Sequence, residues 1–118
     1  MENNVNKRLY GMLGFAMRAG KVIIGTESVC SAMAKRGKDR PQLVLIAQTA
    51  SEGTKKKLLT KAEFYGVDTM SINIDSSELG RLLGKLYAPA TVAIADKHFA
   101  EEIRRAISAT DGDIDGTK

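Results

Sequence analysis

One cysteine and one histidine are all that this chain offers of the two residue types most used in metal sites and nucleophilic pairs. With Cys30 alone no intrachain disulfide can form, and no Cys/His cluster exists to hold a metal. A nucleophilic Cys30 would need a neighbour that stabilises its thiolate, and His98 is remote in sequence, so Cys30 reads as a small packing residue. A P-loop pattern, a G-x-G-x-x-G run and a Ser/His/Asp set are missing as well, which disfavours an enzyme, and no cofactor is expected. No apolar stretch is long enough to span a bilayer, and no basic leader precedes a cleavable apolar run. The expected location is therefore cytoplasmic. Internal repeats are lacking too.

What remains is an ordinary core-forming composition. The 118 residues are 43% hydrophobic and 27% charged, enough for one soluble domain, expected over 1–110. The formal charge is +4, yet 111–118 holds three Asp and one Lys, so the rest carries +6. A basic small domain favours polyanionic partners. The segment D-G-D-I-D-G-T-K has few apolar residues and is expected to be a flexible acidic tail.

The stretch K-V-I-I-G-T-E-S-V-C-S, Lys21 to Ser31, reads as a short strand delivered straight into a helix. Gly25 is the hinge and Thr26 the expected N-cap, so free N–H groups are presented beside bare backbone. Such a corner suits phosphates and base edges, or is simply the first crossover of an α/β domain.

Upstream, Val5, Leu9, Met12, Leu13 and Ala16 recur at helical spacing, and Gly20 suits the position past that helix. Helix two is expected over about 27–36, with Val29, Ala32 and Met33 inward and Ser28, Ser31 and Lys35 outward. Leu43 to Ala47 reads as a strand buried on both faces. Ser51 is the expected N-cap of helix three, with Leu58, Leu59, Ala62 and Tyr65 inside and Gly66 as its stop. Lys55, Lys56 and Lys57 lie in its first turns, where the helix dipole disfavours cations; they are a solvated face or they meet an anion. Thr69 to Ile74 alternates like an edge strand, and Asp75 with Glu78 forms a capping arrangement for a short helix four. A loop over 85–90, a fourth strand from Thr91 to Ala95 and a fifth helix from Asp96 complete an alternating α-β-α pattern. That order predicts a three-layer αβα sandwich with helices on both faces of a small sheet.

Three motifs in order, L-G-F-A-M-R-A-G-K-V-I-I-G-T-E-S, L-V-L-I-A-Q-T-A-S-E-G-T-K-K-K and E-L-G-R-L-L-G-K-L-Y, make the chain resemble a known family. It is similar, over about 9–107, to the bacterial YlxQ-type proteins of the ribosomal protein L-seven-Ae and L-thirty-e superfamily, whose members bind kink-turns and related RNA internal loops. The resemblance implies a four-stranded mixed sheet in the order 1-4-2-3, with strand four antiparallel to its neighbours. Gly25 to Ser31, Gln48 to Lys57 and Lys85 to Ala90 then converge on one edge.

By the same resemblance, the first turn and helix two reach into bent RNA. Many kink-turn binders carry G-x-N-E followed three residues later by Lys; the corresponding residues here are Gly25, Thr26, Glu27, Ser28 and Ser31, of which three polar positions differ. Glu27 accepts hydrogen bonds but cannot donate to a guanine O6, and Ser31 offers no charge to a phosphate; matching of the helix dipole is the other reading of Glu27. The run Gly84 to Tyr87, G-K-L-Y, resembles the G-K-L-F of the L-thirty-e branch, which implies base stacking by Tyr87 beside Lys85, with a packed loop anchor as the alternative. Thr49 falls where that branch has a polar RNA-contacting residue, or serves the turn. Together with Lys55 and Lys56, these residues form the expected interface.

The function expected from this is non-catalytic recognition of a structured RNA, a kink-turn or related loop of ribosomal RNA, by a monomer with a ribosomal or ribonucleoprotein partner and no membrane. A protein-interaction module that has lost RNA affinity is the first alternative, an enzyme acting on a phosphorylated small molecule the second.

Overall fold

Alternation inside the strands explains why helices cover both faces of the sheet. The computed structural model describes the backbone of residues 3–35, 37 and 40–116 and the side chains of 7–35, 37 and 40–108. Its elements are α1 (Asn3–Arg18), β1 (Val22–Ile24), α2 (Thr26–Ala34), β2 (Leu43–Ile46), α3 (Glu52–Tyr65), β3 (Asp68–Ser71), α4 (Ser76–Leu82), β4 (Thr91–Ile94) and α5 (Lys97–Gly116). In β2, Leu43 and Leu45 pack with Leu9 and Leu13 of α1, Leu79 of α4 and Ile103 of α5, while Val44 and Ile46 pack with Val29 and Met33 of α2 and Leu58 and Ala62 of α3. Successive side chains point to opposite faces, so both faces being covered requires an unbroken apolar run. Cys30 is buried in the second of these clusters, as a packing residue.

The sheet order is β1-β4-β2-β3. Strand β4 runs antiparallel to β1 and to β2, whereas β2 and β3 are parallel. This is the mixed topology that the family resemblance implies, and β3 is the edge strand expected from its alternation, though it ends at Ser71 rather than Ile74.

Local capping follows the sequence at three helices. The Ser51 hydroxyl accepts from the Thr54 N–H at 3.1 Å, Asp75 Oδ1 from the Glu78 N–H at 2.8 Å, and Asp96 Oδ1 from the Phe99 N–H at 2.8 Å. Each satisfies an N–H that has no intrahelical partner. Gly66 ends α3 at φ 71°, in the left-handed region.

Three expectations need correction. Gly25, not Thr26, holds the cap of α2; Thr26 is the first helical residue, because its hydroxyl finds a partner across the sheet instead of on its own helix. Leu59 is 50% exposed, since it lies about 100° round the helix from Leu58 and off the line joining Leu58 to Ala62 and Tyr65. The backbone of 111–116 continues α5 where a loose tail is expected. Extending a helix fixes one residue per hydrogen bond, a much smaller cost than starting one, so polar composition alone does not end it. The side chain of Val5 and residues 117–118 lie outside the described residues.

Candidate nucleic-acid interface

The register puts the ends of β1 and β2 level with the start of β4: Ile24 pairs with Val92, and Ile46 with Thr91. Thr91 is wholly buried and ties this edge together. Its carbonyl accepts the Gly25 N–H at 2.8 Å, and its hydroxyl lies 2.8 Å from that of Thr26. On the other side of β4, the Ala47 N–H donates to the Ala90 carbonyl at 2.9 Å. Three segments distant in sequence are thus held to one another by backbone bonds, with no long side chain in the linkage. Gly25 sits at φ 104°, a conformation that side chains resist, so the turn brings bare backbone to the surface.

The 85–90 loop is set on α4. Lys85 N–H donates to the Gly80 carbonyl at 2.8 Å, and a Cβ on Gly80 would overlap the Tyr87 carbonyl oxygen and lie 3.2 Å from Pro89 Cδ. Only glycine allows that approach. Above it Leu86 is fully exposed and Tyr87 is 57% exposed, so Tyr87 is not a packed anchor.

Glu27, Ser28 and Ser31 lie exposed on α2, with Ser31 one turn beyond Glu27 on the same face. Glu27 does not stand alone: Lys57 Nζ of α3 donates to its Oε2 at 2.6 Å. That hydrogen bond, with the lysine charge, holds the Glu27 carboxyl below the ordinary glutamate range and raises the Lys57 ammonium above the ordinary lysine range. Lys55 approaches Glu52 at 3.7 Å, whereas no ion pair to Lys56 is found among the described residues. The Thr49 hydroxyl is engaged on α4, accepting from the Ser76 N–H at 2.9 Å and donating to the Ser76 hydroxyl at 2.9 Å. Beside it a cleft of about 310 Å³ is lined by Gln48, Lys55, Ser71 and Asn73, with the Gln48 amide donating to Asn73 at 2.7 Å.

Gly25, Thr26, Thr49, Lys85 and Tyr87 therefore share one edge, with Lys55 and Lys56 on the first turns of the helix beside it. Sequence reasoning missed Thr91 and the pairing of Lys57 with Glu27. The signal for Thr91 is a single hydroxyl opening an otherwise apolar strand. Among the described residues no group of three His, Cys, Asp or Glu could hold a metal, and no helix is long and apolar enough to cross a membrane.

A sequence profile decides the family: that of the Ribosomal protein L7Ae/L30e/S12e/Gadd45 family matches residues 7–104. The chain belongs to this family. Within the L7Ae/L30e/S12e/Gadd45 group it is 32% identical over 108 residues to the RNA-binding protein YlxQ of Enterococcus faecium, covering 91% of this chain and 98% of that protein. It is 34% identical over 94 residues to the RNA-binding protein YlxQ of Bacillus subtilis (strain 168), covering 80% and 89%. Among solved structures, a protein of unknown function from Bacillus halodurans superposes with a TM-score of 0.75 at 28% identity, over 86% of this chain and 97% of that one. The match to the L7Ae/L30e/S12e/Gadd45 profile takes in every residue of the edge described above, from Gly25 to Thr91.

Proposed function

We propose that this chain is a non-catalytic RNA-binding protein. It engages a structured RNA, a kink-turn or related internal loop of ribosomal RNA, as a cytoplasmic monomer in a ribosomal or ribonucleoprotein setting, through the edge formed by Gly25, Thr26, Glu27, Ser28, Ser31, Thr49, Lys55, Lys56, Lys85 and Tyr87. The observation that carries the reading is the double tie of the Gly25–Thr26 corner to Thr91. It fixes the half-buried corner, and with it the first-turn N–H groups of α2 that have no intrahelical partner, at the same edge as an exposed aromatic ring before any ligand arrives, so less conformational freedom is lost on binding. The backbone donors and hydroxyls meet phosphates and base edges, Tyr87 stacks on an unpaired base, and the lysines add charge without reading sequence.

The Glu27–Lys57 pair favours one second reading, a protein-interaction module, because it places a carboxylate where a phosphate would otherwise approach. Salt separates the two. RNA binding loses affinity steeply as salt displaces the advantage of counterion release. The deciding experiment is crosslinking in cells followed by sequencing of the attached RNA. Enrichment of one structured RNA over a basic control protein is expected, and no enrichment would remove the reading.

A further inference from the structure

At the far end of the sheet, the C-terminal ends of α2 and α3 border a cleft of about 680 Å³ lined by Met33, Lys35, Arg40, Gln42, Phe64 and Tyr65. The two helices start at the proposed RNA edge, and the 14 residues of α3 carry the chain about 21 Å from it. The cleft is thus a separate place on the same face. One wall is the Phe64 ring, 80% accessible and held edge-on to Tyr65 with ring centres 4.8 Å apart. No carboxylate lines it among the described residues, while Lys35 and Arg40 do. The Arg40 guanidinium also donates to the Tyr65 carbonyl. This matters because helix C-termini carry partial negative charge, which would otherwise repel an anion.

We propose that this cleft is a second nucleic-acid site that takes a single-stranded RNA segment, one base stacking on Phe64 with its adjoining phosphates on Lys35 and Arg40. The inference rests on the reading of the chain as an RNA-binding protein and extends it to a surface outside the edge assigned above. The chemistry is that of single-strand binding in general: an exposed ring accepts any base through its π-face, and cations follow the backbone without reading it. A strand running on from RNA held at the first edge would reach this cleft at high effective concentration, so a weak site suffices.

The test uses the full chain and a fluorescent octamer of adenosine nucleotides, too short and uniform to form a kink-turn, with anisotropy read at low salt. Phe64→Ala should weaken octamer binding about tenfold, within the range usual for losing one base stack. Phe64→Tyr should keep it, and Phe64→Leu should lose it, because leucine restores bulk without a planar face. Lys35→Gln should weaken it and flatten the plot of log affinity against log salt by about one unit. The same Phe64 and Lys35 effects should persist in a Tyr87→Ala background, which removes stacking at the other edge. Phe64 is so exposed that its variants should melt like the parent. Octamer binding that is absent, or indifferent to Phe64 in the Tyr87→Ala background, overturns the second site. So does Phe64-dependent binding of a glutamate-rich peptide in place of the octamer, which would make the cleft a protein-docking surface. If the parent fails to bind structured RNA as well, the proposed function falls with it; if structured RNA still binds, only the second site does.

Discussion

Lys57 reaches from α3 to α2 and holds the Glu27 carboxylate at 2.6 Å, so the acid at the centre of the proposed interface and the cation most able to offset it are tied to each other. Replacing Glu27 therefore does two things together: it removes a negative charge and releases a positive one. The double variant Glu27→Asn, Ser31→Lys should raise affinity for a standard kink-turn. Asparagine offers both a donor and an acceptor to a guanine edge, and lysine one turn along adds a cation near the bent backbone. Titration of the variant against parent on one kink-turn RNA checks this. A normally folded variant with no gain would mean that this surface serves another RNA.

The same pair sets a pH dependence. Because the folded-state value of Glu27 is lowered, its favourable interaction is fully present above the ordinary glutamate value and is lost as pH falls through the lower folded value. Because the value of Lys57 is raised, its share is present below the ordinary lysine value and is lost as pH rises through the higher one. Carbon-detected NMR titration should find the Glu27 carboxyl midpoint depressed, and Lys57→Gln should return it towards the ordinary range. Both groups are exposed, so the melting temperature should hardly move.

Tyr87→Ala should weaken binding to the cognate RNA by about 1–3 kcal/mol, with almost no change in thermal stability. Gly80→Ala is the informative partner. Its methyl group would displace the Tyr87 carbonyl, so RNA binding should fall as far as in Tyr87→Ala although residue 80 is buried under the loop. Overpacking of this kind also costs about 1–3 kcal/mol of stability. Wild-type affinity in Gly80→Ala would show that the loop position is irrelevant to binding.

Changing Lys55, Lys56 and Lys57 together to Gln should flatten the salt dependence of RNA binding by fewer than three units, since Lys57 is paired with Glu27 and Lys55 approaches Glu52. Single variants should rank Lys56 first. Equal slopes for parent and triple variant would assign all three to a solvated face.

Thr91→Val removes the hydroxyl that meets Thr26 and leaves the half-buried Thr26 hydroxyl without that partner. A loss of about 1–3 kcal/mol in urea unfolding is expected, the usual cost of stranding a polar group. Thr91→Ser, which keeps the hydroxyl, should lose less.

What was legible in the sequence was local or periodic. The caps at Ser51 and Asp75 depend on a residue three positions away, and the stop at Gly66 on one residue, so pattern and chemistry reach them directly. Strand order was different: the residues predicted alternation of helices and strands, and only the resemblance of the three motifs implied β4 between β1 and β2. In the sequence Thr26 looks like a cap because nothing nearby competes for its hydroxyl; the competitor is 65 residues away. The Glu27–Lys57 pair spans 30 residues and depends on how α2 lies against α3, which neither helix encodes alone. Leu59 is half exposed although, as an apolar residue beside an apolar stripe, it looks in the sequence like part of it.

Strand β4 is the last of the four strands in sequence but is paired on both sides, filling the gap between β1 and β2. Until residue 94 has been synthesised, β1 has no neighbour in the sheet and the Gly25 N–H has no Thr91 carbonyl to meet. A growing chain emerging residue by residue therefore displays the Gly25–Glu27 corner early, but in no fixed relation to the aromatic loop. Closing the sheet is a long-range step, slow relative to the formation of the helices before it. The common edge of Gly25, Thr26 and Tyr87 therefore comes into being in one step, when β4 joins the sheet, and no part of the chain that lacks β4 presents it.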